Sequence, residues 1–457
     1  MTNDRLLSFL ADTLALWRVA GTVEAGVAPA VAVVRAEHGV DITIERSPAP
    51  FRWIVRTERP RPCASLVGLL NALRAALRVE RGSAVRVAAA PDAEERGALR
   101  RSALVTHPTR STGVPAPLIP VTVITGFLGS GKTTLLARLL RDPGMGRTAV
   151  IMNELGAIGL DHDLIETSDE SFVQLSNGCL CCNVRSDLTL TLGDLAARRA
   201  AGTVPQFERV VIETTGLADP APILHALMSD RDLCEVYALD GVVTTVDALT
   251  GLSTLDHHAE SLRQAAVADR IVLTKTDVPG AGAAAITGRL ESLNPGAPIL
   301  QAVHGAIAPS ALFGAGLYTT AGKHPDVQAW LGAEAHAAAG GDTHARHRSD
   351  IESFCVVRDE PLHAVTLALL ISTLAENCGA DLLRMKGIVG VVEDPQRPAV
   401  IHGVQHVYHA PVWLERWPGD DRRTRMVFIG RQIRESWVRA LIDLLDVEVA
   451  GESARRA

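Results

Sequence analysis

Between Leu118 and Ala308 short apolar, β-branched runs alternate with stretches of helical period. The runs at 119–125, 148–153, 209–213, 241–247, 270–274 and 298–303 read as buried strands, and helical stretches at 131–141, 184–200, 257–267 and 282–293 follow most of them. Strands joined by crossover helices predict an α/β unit over 118–308: a mostly parallel sheet, covered on both faces, with ligands at the carboxyl ends of its strands. The pattern changes on either side. In residues 1–90, Leu6 to Ala20 has helical period, 31–34, 40–44 and 51–55 read as short strands, and Leu66, Leu69, Leu70, Leu73 and Leu77 share one helical face. That is a small α+β segment. Residues 91–117 are rich in Pro, Ser, Thr and charge and read as a linker. Residues 309–350 are Ala/Gly-rich with His324, His336, His344 and His347; a tether is the plain reading and a metal-collecting His segment the other. A second α+β unit follows over 351–448, with strands at 351–357, 387–392, 399–407 and 426–429 and helices at 362–374 and 433–445, before a tail at 449–457.

Length and charge narrow the function classes. A chain of 457 residues holds two to four domains. Its net charge of −7 argues against nucleic acid as the main partner. No apolar run reaches the roughly 18 residues of a membrane span, and Asp4, Asp12 and Arg18 interrupt the first apolar stretch. The expectation is a cytoplasmic protein. Through residue 116 there are sixteen Arg against eleven Asp plus Glu and no Lys, which suits either a solvated basic face or docking onto an acidic partner. Only four of the 45 basic residues are lysine (Lys132, Lys275, Lys323 and Lys386). Beside Lys132, this points to Lys275 and Lys386 as places where a compact ammonium is needed, with composition bias and chance survival as the other reading. Three of the seven cysteines fall within four residues, a pattern of metal or redox chemistry in a reducing compartment.

Five motifs carry chemistry. Gly126, four residues, then Gly131-Lys132-Thr133 is a phosphate loop, here between a β-branched strand and a leucine-rich helix. Its backbone N–H groups, including those of Gly129, Ser130 and Thr134, would cradle phosphate oxygens. Lys132 would reach the β- and γ-phosphates and Thr133 would ligate Mg²⁺. In Val211-Ile-Glu-Thr-Thr-Gly216 an apolar strand ends in an acid: Glu213 is placed for Mg²⁺ and the attacking water, and Gly216 for a γ-phosphate switch. Glu154, in Asn153-Glu-Leu-Gly156, suits Mg²⁺ through water, a second metal, or a structural role. In Thr274-Lys275-Thr276-Asp277 the Asp277 carboxylate can accept both N–H groups that guanine presents, and the Lys275 stem can lie over the base. Thr274 stands where GTPases usually carry Asn, keeping a hydroxyl and losing the amide. Finally Cys179, Cys181 and Cys182, before a helix start, form a soft-ligand cluster, with Zn²⁺ first and Cu(I) or Co²⁺ behind it. A thiol–disulfide switch and buried structural cysteines are the other readings of that cluster.

The motifs at 126–134, 153–156, 177–182, 213–220 and 274–277 resemble the CobW-like GTPases, relatives of the UreG and HypB metal-insertion GTPases. Arg384-Met-Lys386-Gly387, His402-Gly-Val-Gln405 and Val427-Phe-Ile-Gly430 resemble that family's C-terminal domain. The resemblance covers about 118–448. It implies a GTPase using Mg²⁺ that couples turnover to delivery of a metal, most often zinc, to a client metalloprotein. In some relatives the client process is cobalamin biosynthesis or nitrile hydratase maturation. Neither nucleic acid nor membrane is an implied partner, and a homodimer is compatible. Lys386 and the C-terminal unit are expected to contact the client or to pass on a nucleotide-driven shift. Two positions depart from the family pattern: Ala157 replaces an acid, so no metal role is carried to it, and Thr274 replaces Asn. The competing class is a redox-sensing interaction protein with a vestigial nucleotide site.

Overall fold

The computed structural model describes residues 3–36, 40–47, 52–57, 60–77, 79, 118–152, 174–176, 184–314 and 351–454. The expected linker at 91–117, most of the tether, Glu154 and all three cluster cysteines lie outside these residues. Among the described residues the strands fall into three sheets. The first is antiparallel in the order β1-β2-β3-β4-β5: β1 (Gly21–Ala25), β2 (Ala30–Ala36), β3 (Val40–Arg46), β4 (Trp53–Arg56) and β5 (Arg61–Cys63). Its outermost strands, β1 and β5, lack the apolar alternation that marks the inner ones. Helix Asn3–Leu16 precedes the sheet and helix Leu66–Ala76 follows it. The second helix starts where Ser65 accepts a hydrogen bond from the Gly68 N–H, one of the donors a helix start leaves unpaired.

The second sheet is parallel throughout, in the order β12-β11-β10-β6-β9-β7-β8. It comprises β6 (Ile119–Gly126), β7 (Thr148–Met152), β8 (Gln174–Ser176), β9 (Arg209–Glu213), β10 (Tyr237–Asp247), β11 (Arg270–Thr274) and β12 (Ile299–Ala302). The phosphate-loop strand β6 is central, and the chain order reverses beside it, where such sheets open a crevice for ligands. β10 begins at Tyr237, earlier than the pattern from 241 suggested, because Asp240 and Gly241 interrupt the apolar run. The strand absorbs them with a register shift, and Asp240 is buried as the acceptor for Thr122 Oγ1 (3.1 Å) and the Gly314 N–H (2.7 Å).

The third sheet runs β13-β18-β14-β15-β16, with β17 also on β15. Its strands are β13 (Ile351–Arg358), β14 (Leu382–Val391), β15 (Asp394–Val404), β16 (Val407–Tyr408), β17 (Val412–Trp413) and β18 (Thr424–Arg431). Helices Ala364–Cys378 and Glu435–Ala454 pack on it, the latter running well into the expected tail.

The N-terminal unit has no core separate from the third sheet. Phe9, Leu10, Ile44 and Leu70 belong to one buried cluster with Phe428, Trp437, Leu441 and Leu445. Phe9 and Trp437 stack with centroids 5.9 Å apart. Polar contacts close the seam: Asp12 accepts from Arg434 (2.9 Å) and Ser436 (3.0 Å), and Glu448 accepts from the Leu66 N–H (2.9 Å). Trp437 Nε1 donates to Thr13 Oγ1 at 3.0 Å in the middle of this core. Thr13→Val is therefore expected to cost about 1–3 kcal/mol, the penalty of an unpaired buried N–H. Urea unfolding checks it, and an unchanged midpoint would show the bond to be dispensable.

Candidate functional site

The site forms at the carboxyl end of β6. Gly126 has φ +143° and lies so close to β10 that a Cβ would fall 2.3 Å from Thr245 Oγ1. Only glycine lets the loop leave the strand there. Gly129 and Gly131 also have positive φ, and Gly131 opens helix Lys132–Leu139, whose free N–H groups face the loop. The buried Ser130 hydroxyl pairs with Thr245 Oγ1 at 2.6 Å, tying the loop to β10. Lys132 Nζ donates to the carbonyls of Gly126 (2.8 Å) and Phe127 (3.1 Å). Burial draws its ammonium below the ordinary lysine value and the Glu213 carboxylate works against that. Thr134 is exposed on the helix, and its carbonyl leaves no room for a Cβ at Gly305.

Glu213 closes β9, the neighbour of β6, and Thr133 Oγ1 donates to its Oε1 at 2.7 Å. These are two hard oxygen donors at one point, a set that fits Mg²⁺. The next residue, Thr214, donates from its hydroxyl to Thr125 Oγ1 (2.8 Å) and from its N–H to the Ile124 carbonyl (2.9 Å). The chain then reaches Gly216, where a Cβ would fall 2.6 Å from the Leu128 backbone nitrogen, so this glycine lies directly against the phosphate loop.

The segment 274–277, expected to read the base, leaves β11. Thr274 Oγ1 donates to the Ser130 carbonyl at 2.7 Å and approaches the Val246 carbonyl at 3.2 Å. This hydroxyl joins the phosphate loop to β10, a task that needs no amide. Lys275 adopts φ +56° and its Nζ meets Asp247 Oδ2 at 2.6 Å. Asp277 lies 3.5 Å from His304 Nε2, and His304 itself has φ +50°. Two non-glycine residues in the left-handed region, at the ends of adjacent strands, mark a place where the fold holds local strain. Asp247 and His304 belong to none of the sequence motifs, yet each contacts a residue of the 274–277 segment. Asp247 had a signal, an acid ending an apolar strand just as Glu213 does.

Lys386 was expected either to meet a client or to pass on a shift. It lies on β14, largely buried, with Nζ 2.5 Å from Asp269 Oδ1, so its charge faces the parallel sheet and not solvent. Arg384, 2% exposed, reaches the same oxygen at 2.6 Å. Among the described residues no three His, Cys, Asp or Glu side chains converge as a metal site, and no helix is long and apolar enough to cross a membrane.

Known proteins resemble this chain in sequence and fold. Residues 120–301 match the CobW/HypB/UreG nucleotide-binding domain, and residues 351–445 match the cobalamin synthesis protein cobW C-terminal domain. The zinc chaperone YjiA of Escherichia coli is 36% identical over 324 residues, covering 70% of this chain and 97% of the relative. The zinc chaperone CobW of Sinorhizobium sp is 30% identical, covering 72% and 97%. The zinc-regulated GTPase metalloprotein activator 1 of Schizosaccharomyces pombe is 34% identical over 197 residues, covering 41% of this chain and 47% of its own. The crystal structure of Zn(II)-bound YjiA GTPase from E. coli superposes with a TM-score of 0.55 at 30% identity, covering 72% of this chain and 99% of that one. Two family models in the expected order and two zinc chaperones matched over 97% of their length lead to one conclusion: the chain belongs to the CobW/HypB/UreG family.

Proposed function

We propose that this chain hydrolyses GTP and couples the turnover to delivery of a zinc ion, its cargo, to a client metalloprotein. The observation that carries the reading is the contact between Thr133 of the phosphate loop and Glu213 at the end of β9, with Gly216, just beyond, abutting Leu128 of the loop. Mg²⁺ held by Thr133 and Glu213 would supply charge to offset that of the phosphates. Lys132 would turn from the loop carbonyls to the β- and γ-phosphates, and the N–H groups of Gly129, Ser130, Gly131, Lys132, Thr133 and Thr134 would complete the cradle. Asp277 would accept the two guanine N–H groups, with the Lys275 stem over the base and Asp247 holding its ammonium. Thr274 contributes by positioning the loop. The relatives' names as zinc chaperones and as a GTPase metalloprotein activator support zinc as cargo and a metalloprotein as recipient.

Cys179, Cys181 and Cys182 would hold the ion as thiolates. In sequence they lie between the two segments that a γ-phosphate would order, 153–156 and 214–216, so the nucleotide can change their geometry. Zinc affinity should therefore differ about tenfold or more between the protein loaded with a non-hydrolysable GTP analogue and with GDP. Competition titration with a chromogenic chelator measures this, and equal affinities in both states would end the delivery reading. Changing the three cysteines to serine is expected to abolish stoichiometric zinc binding while metal-free GTP turnover persists.

A further inference from the structure

The helix Ala259–Ala266 and its N-cap residue reach both the phosphate loop and the 216–219 segment, although none of the motifs includes them. At its start His258 packs on Phe127 of the phosphate loop, with ring centroids 4.5 Å apart. Near its end Gln264, fully buried, sends Nε2 to two carbonyls of the switch segment: Gly216 at 3.2 Å and Ala218 at 3.0 Å. The Gln264 carbonyl accepts from Thr244 Oγ1 of β10 at 2.8 Å, so the residue is also fixed to the sheet. Arg263 approaches Asp219, the next residue of the same segment, at 3.9 Å.

The last turn of this helix is equally constrained. Asn294 Nδ2 donates to the carbonyls of Ala265, Ala266 and Ala268, at 2.9, 3.2 and 3.0 Å. Asp269 follows at once. Its N–H and Oδ2 exchange hydrogen bonds with the Val242 backbone at 2.8 and 2.9 Å, and its Oδ1 takes Arg384 and Lys386 from the C-terminal sheet. Four residues of locked backbone, 265–268, thus separate an amide that grips the 216–218 segment from a carboxylate that grips the C-terminal sheet.

We propose that Gln264 is a positioning residue for GTP turnover, holding the Gly216–Ala218 segment against the phosphate loop and passing its position, through Asp269, to Arg384 and Lys386. A purely structural core amide would have both ends paired. Here Oε1 is buried without a partner among the described residues, while both donated bonds go to the switch. Folds retain such a group where function asks for it. The segment it holds is the one whose N–H groups must meet a γ-phosphate, so moving the segment means pulling on Gln264. The helix, stiff between His258 and Asp269, transmits that pull as a body.

The inference rests on the GTPase reading, and the two fail differently. A wild-type protein without GTP turnover would remove the reading itself. With wild-type turnover in hand, Gln264→Met keeps the length and removes the donor, and Gln264→Glu keeps the shape but offers only acceptors. Each is expected to lower kcat about tenfold while KM for GTP and the GDP affinity stay within about twofold. An unchanged kcat, or a loss of nucleotide affinity as large as the loss of kcat, would overturn the proposal. Hydrogen exchange on the wild-type protein tests the second half without any substitution. Exchanging GDP for a non-hydrolysable GTP analogue should alter protection at 216–220 and at 382–388 together. A change confined to 216–220 would show that the signal stops at the switch.

Discussion

Lys132→Ala is expected to lower GTP turnover by about 10²–10³-fold, the range for loss of one preorganised charge aimed at the transition state. The lysine is already inside the cradle, bonded to the carbonyls of Gly126 and Phe127, so little reorganisation separates it from the phosphates. Burial draws its ammonium down from the ordinary value; a triphosphate would push it back up, so nucleotide binding and protonation support one another. Arginine is a poor substitute, because its planar fork does not fit the pocket of a point charge closed by two carbonyls. Phosphate release under saturating GTP gives the rate, and thermal unfolding with and without GDP gives binding, since a ligand raises stability with its affinity. Wild-type turnover in Lys132→Ala would refute the nucleotide assignment outright.

Asp269→Asn is expected to destabilise the protein by about 3–5 kcal/mol, the cost of leaving buried charges without their counter-ion. The substitution is nearly isosteric, yet it turns one acceptor into an amide that faces Arg384 and Lys386, both buried and both donors. Desolvation would raise the Asp269 carboxyl, but the Arg384 guanidinium and the Lys386 ammonium hold it well below the ordinary carboxylate range. The sign of the pH dependence follows. A depressed carboxyl contributes its full stability above the unfolded value, about 3.9, and loses it as pH falls through the lower folded value. The gap between wild type and Asp269→Asn should be complete at neutral pH, survive down to about pH 4, and narrow only in stronger acid. Urea unfolding at pH 7 and at acid pH measures it. A gap already closed at pH 5 would show that the cluster is not holding the domains together.

The two substitutions probe features that differ in how openly the chain displays them. Gly126, Gly131, Lys132 and Thr133 are within eight residues, and their chemistry depends on local backbone shape alone. Glu213 and Asp247 both obey a rule nearly as local, since an acid ending an apolar strand of a parallel sheet lies at the ligand edge. Glu213 was read that way and Asp247 was not. Asp269 lies more than a hundred residues from Arg384 and Lys386, and nothing in the flanks of either says that they meet.

Short strands were hidden for a related reason. β1 is mostly exposed and β5 is three residues containing a proline, so neither shows an apolar alternation; each exists because a neighbour offers hydrogen bonds. The N-terminal unit looked self-contained because its apolar faces are periodic, but periodicity reports that a face is buried and not what buries it. Trp437 and Phe428 are the answer, more than four hundred residues from Phe9.

What the sequence by itself determined is the set of things that depend on neighbours along the chain: the phosphate loop, the alternation that makes a parallel sheet, and the strand-end acids. What only the tertiary structure decided is which distant groups share a charge, a core or a helix: Thr274 as a tie to Ser130, Gln264 on the switch carbonyls, and Lys386 turned inward onto Asp269. The physical reason is that these depend on burial and on pairing between separate elements. Both are settled by packing, which sets the distance between residues far apart in the chain and leaves no trace in the spacing of either partner.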